Sequence, residues 1–509
     1  MNYRFVFKHL GLLTGVLGAS VLLICALDWY FWPDDSEGGL AGIRALLATG
    51  VLGWLVAVIL LAMGRRADDY LGRREALLLV ALSWIFGAAL SGLPYFLWAI
   101  QVTEWVHPFR NFYACYFEAM SGLTTTGATV LSDIHILPKS ILLWRAMTHW
   151  LGGLGIVVLF VAVLPTLGVG GKRLFNVEAP GPSQPGVKPR IRETARLLWY
   201  IYLGMTIVQT VLLMCTGMNL FDAICHTFAT LATGGFSTKN ASAGAYSTGS
   251  QIVMIVFMIL AGANFGLYYH ILQRQFKRFW RDPEFQLYIG IMTVGSVIVI
   301  ASIFGHNIVL TDGTVIEGTV ANSTLHGIFQ VVSIQTTTGF GTVDSDLWSF
   351  LPKMTLLILM FVGGCAGSTG GGIKVVRILV GFKIVVAEIE RVFRPNVVRS
   401  IKVGNSVIDP QMRQAVMVYI LGIGVIFSLG TIALMLIEQH QGIDIITAVS
   451  ASAATLHNVG PGFARVGAIQ NYGWFSSPSL VVMSLLMALG RLEVYALLVL
   501  FVPSFWWKP

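Results

Sequence analysis

Ten blocks of apolar sequence, each long enough to cross a lipid bilayer, dominate this chain of 509 residues. They run over 10–30, 40–63, 75–100, 140–166, 195–216, 250–272, 285–304, 351–386, 412–437 and 478–502. About 20 mainly apolar residues suffice for one helical crossing. Hydrophobic residues make up 55% of the chain and charged residues only 11%, whereas soluble domains carry about 25% charged residues. That balance excludes an ordinary soluble enzyme, a disordered chain and a coiled coil. The first run, Leu10 to Leu27, follows Arg4 and Lys8 but is too long for a signal-peptide core and lacks a small-residue cleavage site. It reads as a retained first helix.

The basic residues orient the blocks. Of 33 Lys and Arg, 24 fall before block one, at 65–74, 172–196, 274–281 and 374–402, and at Arg413. These positions alternate as ten crossings demand, so the positive-inside rule places both termini in the cytoplasm. The net charge of +8 is thereby explained without nucleic acid as a partner. Residues 181–190 form a Pro-rich cytoplasmic linker. Four shorter apolar stretches, 111–124, 220–232, 322–335 and 443–456, are too short to cross and read as re-entrant half-helices on the outer face.

Those four stretches end alike. They close on Thr124-Thr125-Thr126-Gly127, Leu231-Ala232-Thr233-Gly234, Thr336-Thr337-Thr338-Gly339 and His457-Asn458-Val459-Gly460. The four glycines stand 107, 105 and 121 residues apart, a repeat that makes the short motif meaningful. The expected architecture is an all-α polytopic membrane protein. Residues 1–70 are a two-helix extension, and 71–172, 173–278, 279–402 and 403–509 are four helix–pore-loop–helix units around a central pore. An ion leaving water needs oxygens in place of its hydration shell, and four backbone segments around one axis supply carbonyl rings. Glycine lets such a turn adopt positive φ, and helix C-terminal ends facing the axis favour a cation. Four tight turns in a bundle without a pore are the plainer alternative.

Two anomalies remain. Block eight is interrupted by Gly363-Gly364-Cys365-Ala366-Gly367-Ser368-Thr369-Gly370-Gly371-Gly372, too rich in glycine for a stable helix. It reads as a loop inside the membrane, and a close packing face is the alternative. Arg491 lies within block ten, where a charge must face a cavity or a partner. Carbonyls of the Gly-rich loop, the pore, or a carboxylate such as Glu118 are candidates. The five cysteines, Cys25, Cys115, Cys215, Cys225 and Cys365, show no metal spacing and read as small buried thiols.

With these residues in view, the chain resembles the Trk/Ktr/HKT superfamily of potassium transporters, most closely its bacterial TrkH/TrkI branch. The motifs TTTGATV, LATGGFST, RDPEFQLY, TTTGFG, GGCAGSTGGGIK, NVGPGF and ALGRLE carry the resemblance over nearly the whole chain. The resemblance implies potassium as the transported ion and a selectivity filter at Gly127, Gly234, Gly339 and Gly460. It also implies a gate at Gly363, Gly364, Gly367, Gly370, Gly371 and Gly372, with Arg491 narrowing the pore. Family members are homodimers in the lipid of the inner membrane and work with TrkA, a cytoplasmic nucleotide-binding protein. Gly127 stands where sodium-favouring plant relatives have Ser, and His457 where Asn is expected. Competing readings are a sodium- or proton-coupled symporter and a membrane-embedded enzyme using His149, His226, His270 or Glu118. No HExxH, GxSxG or paired intramembrane Asp supports the latter.

Overall fold

The computed structural model describes every residue except 35, 66–71, 103–106, 154, 156–190, 397–399, 405, 493 and 508–509. The linker 181–190, most of the basic stretch 172–196 and the second half of block 140–166 therefore lie outside the described residues. Helices α1 (Tyr3–Phe31) and α2 (Glu37–Met63) form an antiparallel N-terminal hairpin. Its seam is built from small residues: a Cβ on Gly18 would lie 3.0 Å from Trp54, and one on Gly11 the same distance from the Ala57 carbonyl. Lipid offers no hydrophobic drive between helices, so such close backbone packing supplies the association.

Four units follow, each a long helix, a short buried helix, a turn and a second helix. The first comprises α3 (Arg73–Val102), α4 (Phe112–Leu123) and α5 (Lys139–Gly153). The second comprises α6 (Ile191–Cys215), α7 (Leu220–Leu231) and α8 (Thr248–Gly262), continued by α9 (Phe265–Leu272) and α10 (Phe276–Trp280). The third comprises α11 (Pro283–Ile303), α12 (Val320–Gln335), α13 (Phe350–Phe361) and α14 (Val375–Phe393). The fourth comprises α15 (Pro410–Ile437), α16 (Ile445–Leu456), α17 (Ser477–Arg491), α18 (Tyr495–Leu498) and α19 (Pro503–Trp506). Two small antiparallel hairpins join elements: β1 (Asn307–Val309) with β2 (Val315–Glu317), and β3 (Lys402–Val403) with β4 (Ser406–Val407). The chain is all-α, as its sequence implies.

Each short helix starts on a side-chain cap. Asn111, Asn219, Thr319 and Asp444 accept backbone N–H bonds from Tyr113, Asp222, Asn322 and Thr447. Such a cap is worth about 1 kcal/mol, and here it sets where each half-crossing begins.

Among the described residues, six helices (α1, α2, α3, α6, α11 and α15) are long and apolar enough to cross a membrane unbroken. The second helix of each later unit is interrupted partway, with α8 continued by α9, α13 by α14 and α17 by α18. Block 250–272 breaks after α8, where Ala263 turns to extended backbone and Asn264 caps α9 through an Oδ1 bond from the Gly266 N–H at 2.8 Å. Block 478–502 stops at Arg491, and Val494 at φ +69° precedes α18. The first break has partners elsewhere in the fold. The Cys365 N–H donates to the carbonyl of Gly262 at 2.8 Å, and the Phe265 N–H to that of Gly367 at 3.1 Å. Hydropathy cannot register such exchanges, because they are made by backbone groups that every residue carries.

The second helices pass very close to the short ones. A Cβ on Gly152 would overlap the carbonyl oxygen of Leu123, and one on Gly490 that of Leu456. Leu123 and Leu456 are the last residues of α4 and α16, so the first and fourth units pack alike. Overpacking of this kind typically costs about 1–3 kcal/mol. Gly152→Ala and Gly490→Ala should each lower the thermal midpoint in detergent by several degrees. Gly424→Ala, which has open space around the new methyl, should leave it unchanged.

Candidate functional site

The short helices end in four copies of one turn. The N–H groups of Thr126, Gly234, Thr338 and Val459 donate to the carbonyls of Ser121, Ala229, Ser333 and Ala454, all at 2.8 Å. The preceding residues, Thr125, Thr233, Thr337 and Asn458, lie at φ +55°, +55°, +59° and +56° and bond back three residues. This is the Schellman ending, in which a left-handed residue folds the chain back over the last helical carbonyls. Left-handed backbone disfavours residues with a Cβ by roughly 1–2 kcal/mol, so tertiary contacts must hold these turns. Two are visible: Thr337 Oγ1 accepts the Gly371 N–H at 2.7 Å, and Asn458 Nδ2 donates to Thr126 Oγ1 at 2.9 Å and the Met487 carbonyl at 3.0 Å.

The turns close into a ring. Gly127, Gly235, Gly339 and Gly460 have φ between +77° and +95°. A Cβ built on any of them would stand 2.5 Å or less from a carbonyl oxygen of the next unit. Gly127 faces Gly234 O, Gly235 faces Thr338 O, Gly339 faces Val459 O, and Gly460 faces Thr126 O. The circuit passes once through each unit in chain order. All four glycines border one open cavity of about 110 Å³.

This geometry moves the second unit's register by one residue from the sequence reading. The equivalent of Gly127, Gly339 and Gly460 is Gly235, and the matching segment is 232–235, because Leu231 is still helical. Gly234 aligns with Thr126 and is small for a different reason: a Cβ there would lie 2.5 Å from the His149 ring. The other expected residues, 124–127, 336–339 and 457–460, come together as the sequence implied. His457 forms the end of α16, donates from Nδ1 to Ala453 O at 3.0 Å and packs on Phe361 at 4.6 Å between ring centroids.

Behind the ring, polar residues fix the units to one another. Glu118 on α4 accepts from Arg145 Nε on α5 at 2.7 Å, from Thr129 Oγ1 at 2.9 Å and from the Val130 N–H at 2.9 Å. Arg145 also donates to Ser237 O at 3.2 Å and lies over the Phe236 ring at 3.4 Å. His149 donates from Nδ1 to Gly122 O at 2.8 Å and accepts the Phe236 N–H on Nε2 at 3.3 Å. Units one and two are thus joined through three side chains that the sequence reading listed as catalytic candidates or passed over. His226 is engaged likewise, donating to Asp222 O at 2.7 Å and bonding Ser237 Oγ at 2.9 Å. The side chain of His270 lies outside the described residues. Arg145, a cation in an apolar block like Arg491, carried a signal that could have been read.

Residues 362–374 separate α13 from α14 as a non-helical loop against the ring. Thr369 Oγ1 donates to Leu231 O at 2.9 Å, and a Cβ on Gly371 would stand 2.6 Å from the His457 carbonyl oxygen. Arg491 donates from Nη1 to Thr369 O at 2.7 Å and from Nη2 to Gly152 O and Gly153 O at 2.7 and 3.1 Å. Of the partners the sequence left open, loop carbonyls are therefore present, whereas Glu118 is held by Arg145. Gly363, Gly364, Gly367, Gly370, Gly371 and Gly372 all lie in this loop. Among the described residues no cluster of three metal-ligating side chains occurs, so backbone oxygens dominate the site.

A family model described as TrkH, cation transport protein, matches residues 103–508. The chain belongs to the TrkH family. It is 37% identical over 509 residues to the Trk system potassium uptake protein TrkH of Salmonella typhimurium, covering 99% of this chain and 100% of that one. It is 33% identical to the Trk system potassium uptake protein TrkG of Escherichia coli, over 87% of each. To the Trk system potassium uptake protein TrkI of Halomonas elongata it is 32% identical, over 98% and 96%. The crystal structure of the potassium transporter TrkH from Vibrio parahaemolyticus matches with a TM-score of 0.84 at 33% identity, covering all of both chains. TrkH-family proteins are membrane potassium transporters and not enzymes, which sets the catalytic reading of His149, His226, His270 and Glu118 aside.

The register of the second turn in this TrkH-family chain can be tested by stability. Gly234→Ala should be destabilising and should be rescued by His149→Ala, which removes the opposing ring. Gly235→Ala should be destabilising by about 1–3 kcal/mol and show no rescue, because backbone opposes it. Thermal midpoints of the two single and two double variants decide between them.

Proposed function

We propose that this chain takes up potassium across the cell's inner (plasma) membrane, with both termini in the cytoplasm. The ion would pass through carbonyls of 124–127, 232–235, 336–339 and 457–460. The observation that carries this reading is the closed circuit of glycines against the next unit's carbonyls. Four helix C-terminal ends converge there, and their partial negative charge favours a cation. Non-helical backbone at membrane depth is tolerated where it lines a water-filled cavity or is buried in protein.

In this reading the loop 362–374 is a gate and Arg491 its latch. The guanidinium satisfies loop carbonyls that would otherwise be costly in a membrane, and its positive charge opposes a cation moving inward. Flow would be regulated by a cytoplasmic nucleotide-binding partner, TrkA, on the basic stretches 274–281 and 374–402. A homodimer is supported by α14, where Phe382, Ile389, Val392 and Phe393 are exposed.

Potassium flux from the purified protein in liposomes tests the assignment, and absence of flux under a potassium gradient would overturn it. Gly127→Ser should lower potassium-over-sodium selectivity about ten-fold, equivalent to about 1.4 kcal/mol, because φ is +81° and the Gly234 carbonyl occupies the Cβ position. Arg491→Ala should raise flux in the absence of the partner and weaken the response to it. Wild-type selectivity in the first variant would remove Gly127 from the filter, and wild-type flux in the second would remove Arg491 from the gate.

A further inference from the structure

The loop 362–374 is held at two places. Its tip rests on Arg491, on Thr337 Oγ1 and on carbonyls of Leu231 and Ala261. Its base is closed by backbone bonds: the Gly363 N–H to Ile373 O at 3.0 Å, the Ile373 N–H to Phe361 O at 3.2 Å, and the Val375 N–H to Gly364 O at 3.2 Å. Glu284 lies across that base. One oxygen, Oε1, accepts the Ala366 N–H at 2.7 Å and the Val376 N–H at 3.1 Å. These donors are ten residues apart, one on each arm of the loop.

The carboxylate comes from a different helix and is buried, with 7% of its surface exposed. It belongs to the first turn of α11, after the N-cap Asp282 and Pro283, where the helix dipole favours negative charge. Hydrogen bonds to an ionised acceptor are roughly twice as strong as neutral ones. The base is thus fixed by one buried carboxyl oxygen shared between both arms. Most of the tip contacts are neutral, apart from Arg491 and the Lys374 ammonium, which bonds the Gly370 carbonyl.

We propose that Glu284 is the positioning residue of the gate, a carboxylate clamp that pins both arms so that only 367–372 can swing away from the ring. This rests on the gate reading of the loop and adds the fixed point about which the gate moves. It also supplies a short path for regulation. The exposed residues Lys277 and Arg278 of α10 precede α11 by a few residues, so a partner pulling there would act on the clamp directly. The clamp carries a native reporter: Cys365, adjacent to Ala366, is fully buried.

The full-length protein in liposomes is compared as wild type, Glu284→Ala, Glu284→Gln and Arg491→Ala. Modification of Cys365 by N-ethylmaleimide is read by peptide mass spectrometry, alongside partner-independent potassium flux. Glu284→Ala should speed Cys365 modification about ten-fold, because local opening controls the access of buried groups, and should raise flux. Glu284→Gln, which keeps an acceptor oxygen without the charge, should fall between it and wild type. If Glu284→Ala does not fold, Glu284→Gln against wild type carries the comparison. Wild-type modification rates in the Glu284 variants would overturn the clamp. Faster modification without added flux, where Arg491→Ala does raise flux, would overturn its role in gating. If modification speeds up but neither Glu284→Ala nor Arg491→Ala alters flux, the clamp stands and the gate reading of the loop fails.

Discussion

A carbonyl oxygen of each unit rests where the preceding unit's glycine would otherwise carry a methyl group, four times around a closed circuit. This approach is the constraint on which the rest of the structure depends. It requires glycine at four places, and it requires the preceding turns to reach those places in one conformation. The Schellman endings of α4, α7, α12 and α16 supply that conformation, with matching bonds in every unit. Three of the left-handed positions carry threonine, a β-branched residue that does not choose this backbone unaided, and one carries asparagine, which tolerates it. The surrounding polar groups, among them Asn458 across to Thr126 and Gly371 onto Thr337, oppose the strain.

The same economy of backbone groups explains the broken second helices. A helix that stops inside a membrane leaves carbonyls without partners, at a cost of several kcal/mol each. Here the stops occur together, and the freed groups serve one another. The loop 362–374 donates to the end of α8, α9 starts by donating to the loop, and Arg491 at the end of α17 binds loop and α5 carbonyls at once. The Glu118–Arg145 pair plays the complementary part on the other side of the ring. Removing one partner from such a buried pair costs about 3–5 kcal/mol, since the other charge stays uncompensated. These interactions tie units one to four into one object: the loop and Arg491 join units two, three, four and one, and Arg145 reaches from unit one to the Ser237 carbonyl of unit two.

Much of this was legible in the chain. Four Gly-ended apolar half-crossings at near-constant spacing announced the repeat, and the glycine run 363–372 announced the loop. Arg491 announced a polar partner by its depth. The turn of the second unit was misplaced by one residue because Gly234 and Gly235 are adjacent and both must be small, one for the ring and one for the His149 side chain. No pattern within 231–235 separates a glycine demanded by positive φ from one demanded by a neighbouring ring 85 residues away. The break at Asn264 was hidden for a related reason. Block 250–272 is mainly apolar on both sides of Asn264, and backbone groups of the loop make stopping there tolerable.

What the sequence determined by itself is set by solvent: the length of each apolar block, the half-length of the four short ones, the caps at Asn111, Asn219, Thr319 and Asp444, and the glycines that admit positive φ. These follow from local chemistry and the thickness of a bilayer. What only the tertiary structure decided is pairing: that Arg491 takes the carbonyls of Thr369 and Gly152 while Arg145 takes Glu118, that Gly235 joins the ring while Gly234 yields to His149, and that Glu284 reaches both arms of the loop. Several involve groups far apart in the chain whose partners are backbone atoms, as for Arg491, Gly235 and Glu284, and every residue offers the same backbone. Side-chain type therefore could not name the partner; only closure of the four units around one axis brought it within reach.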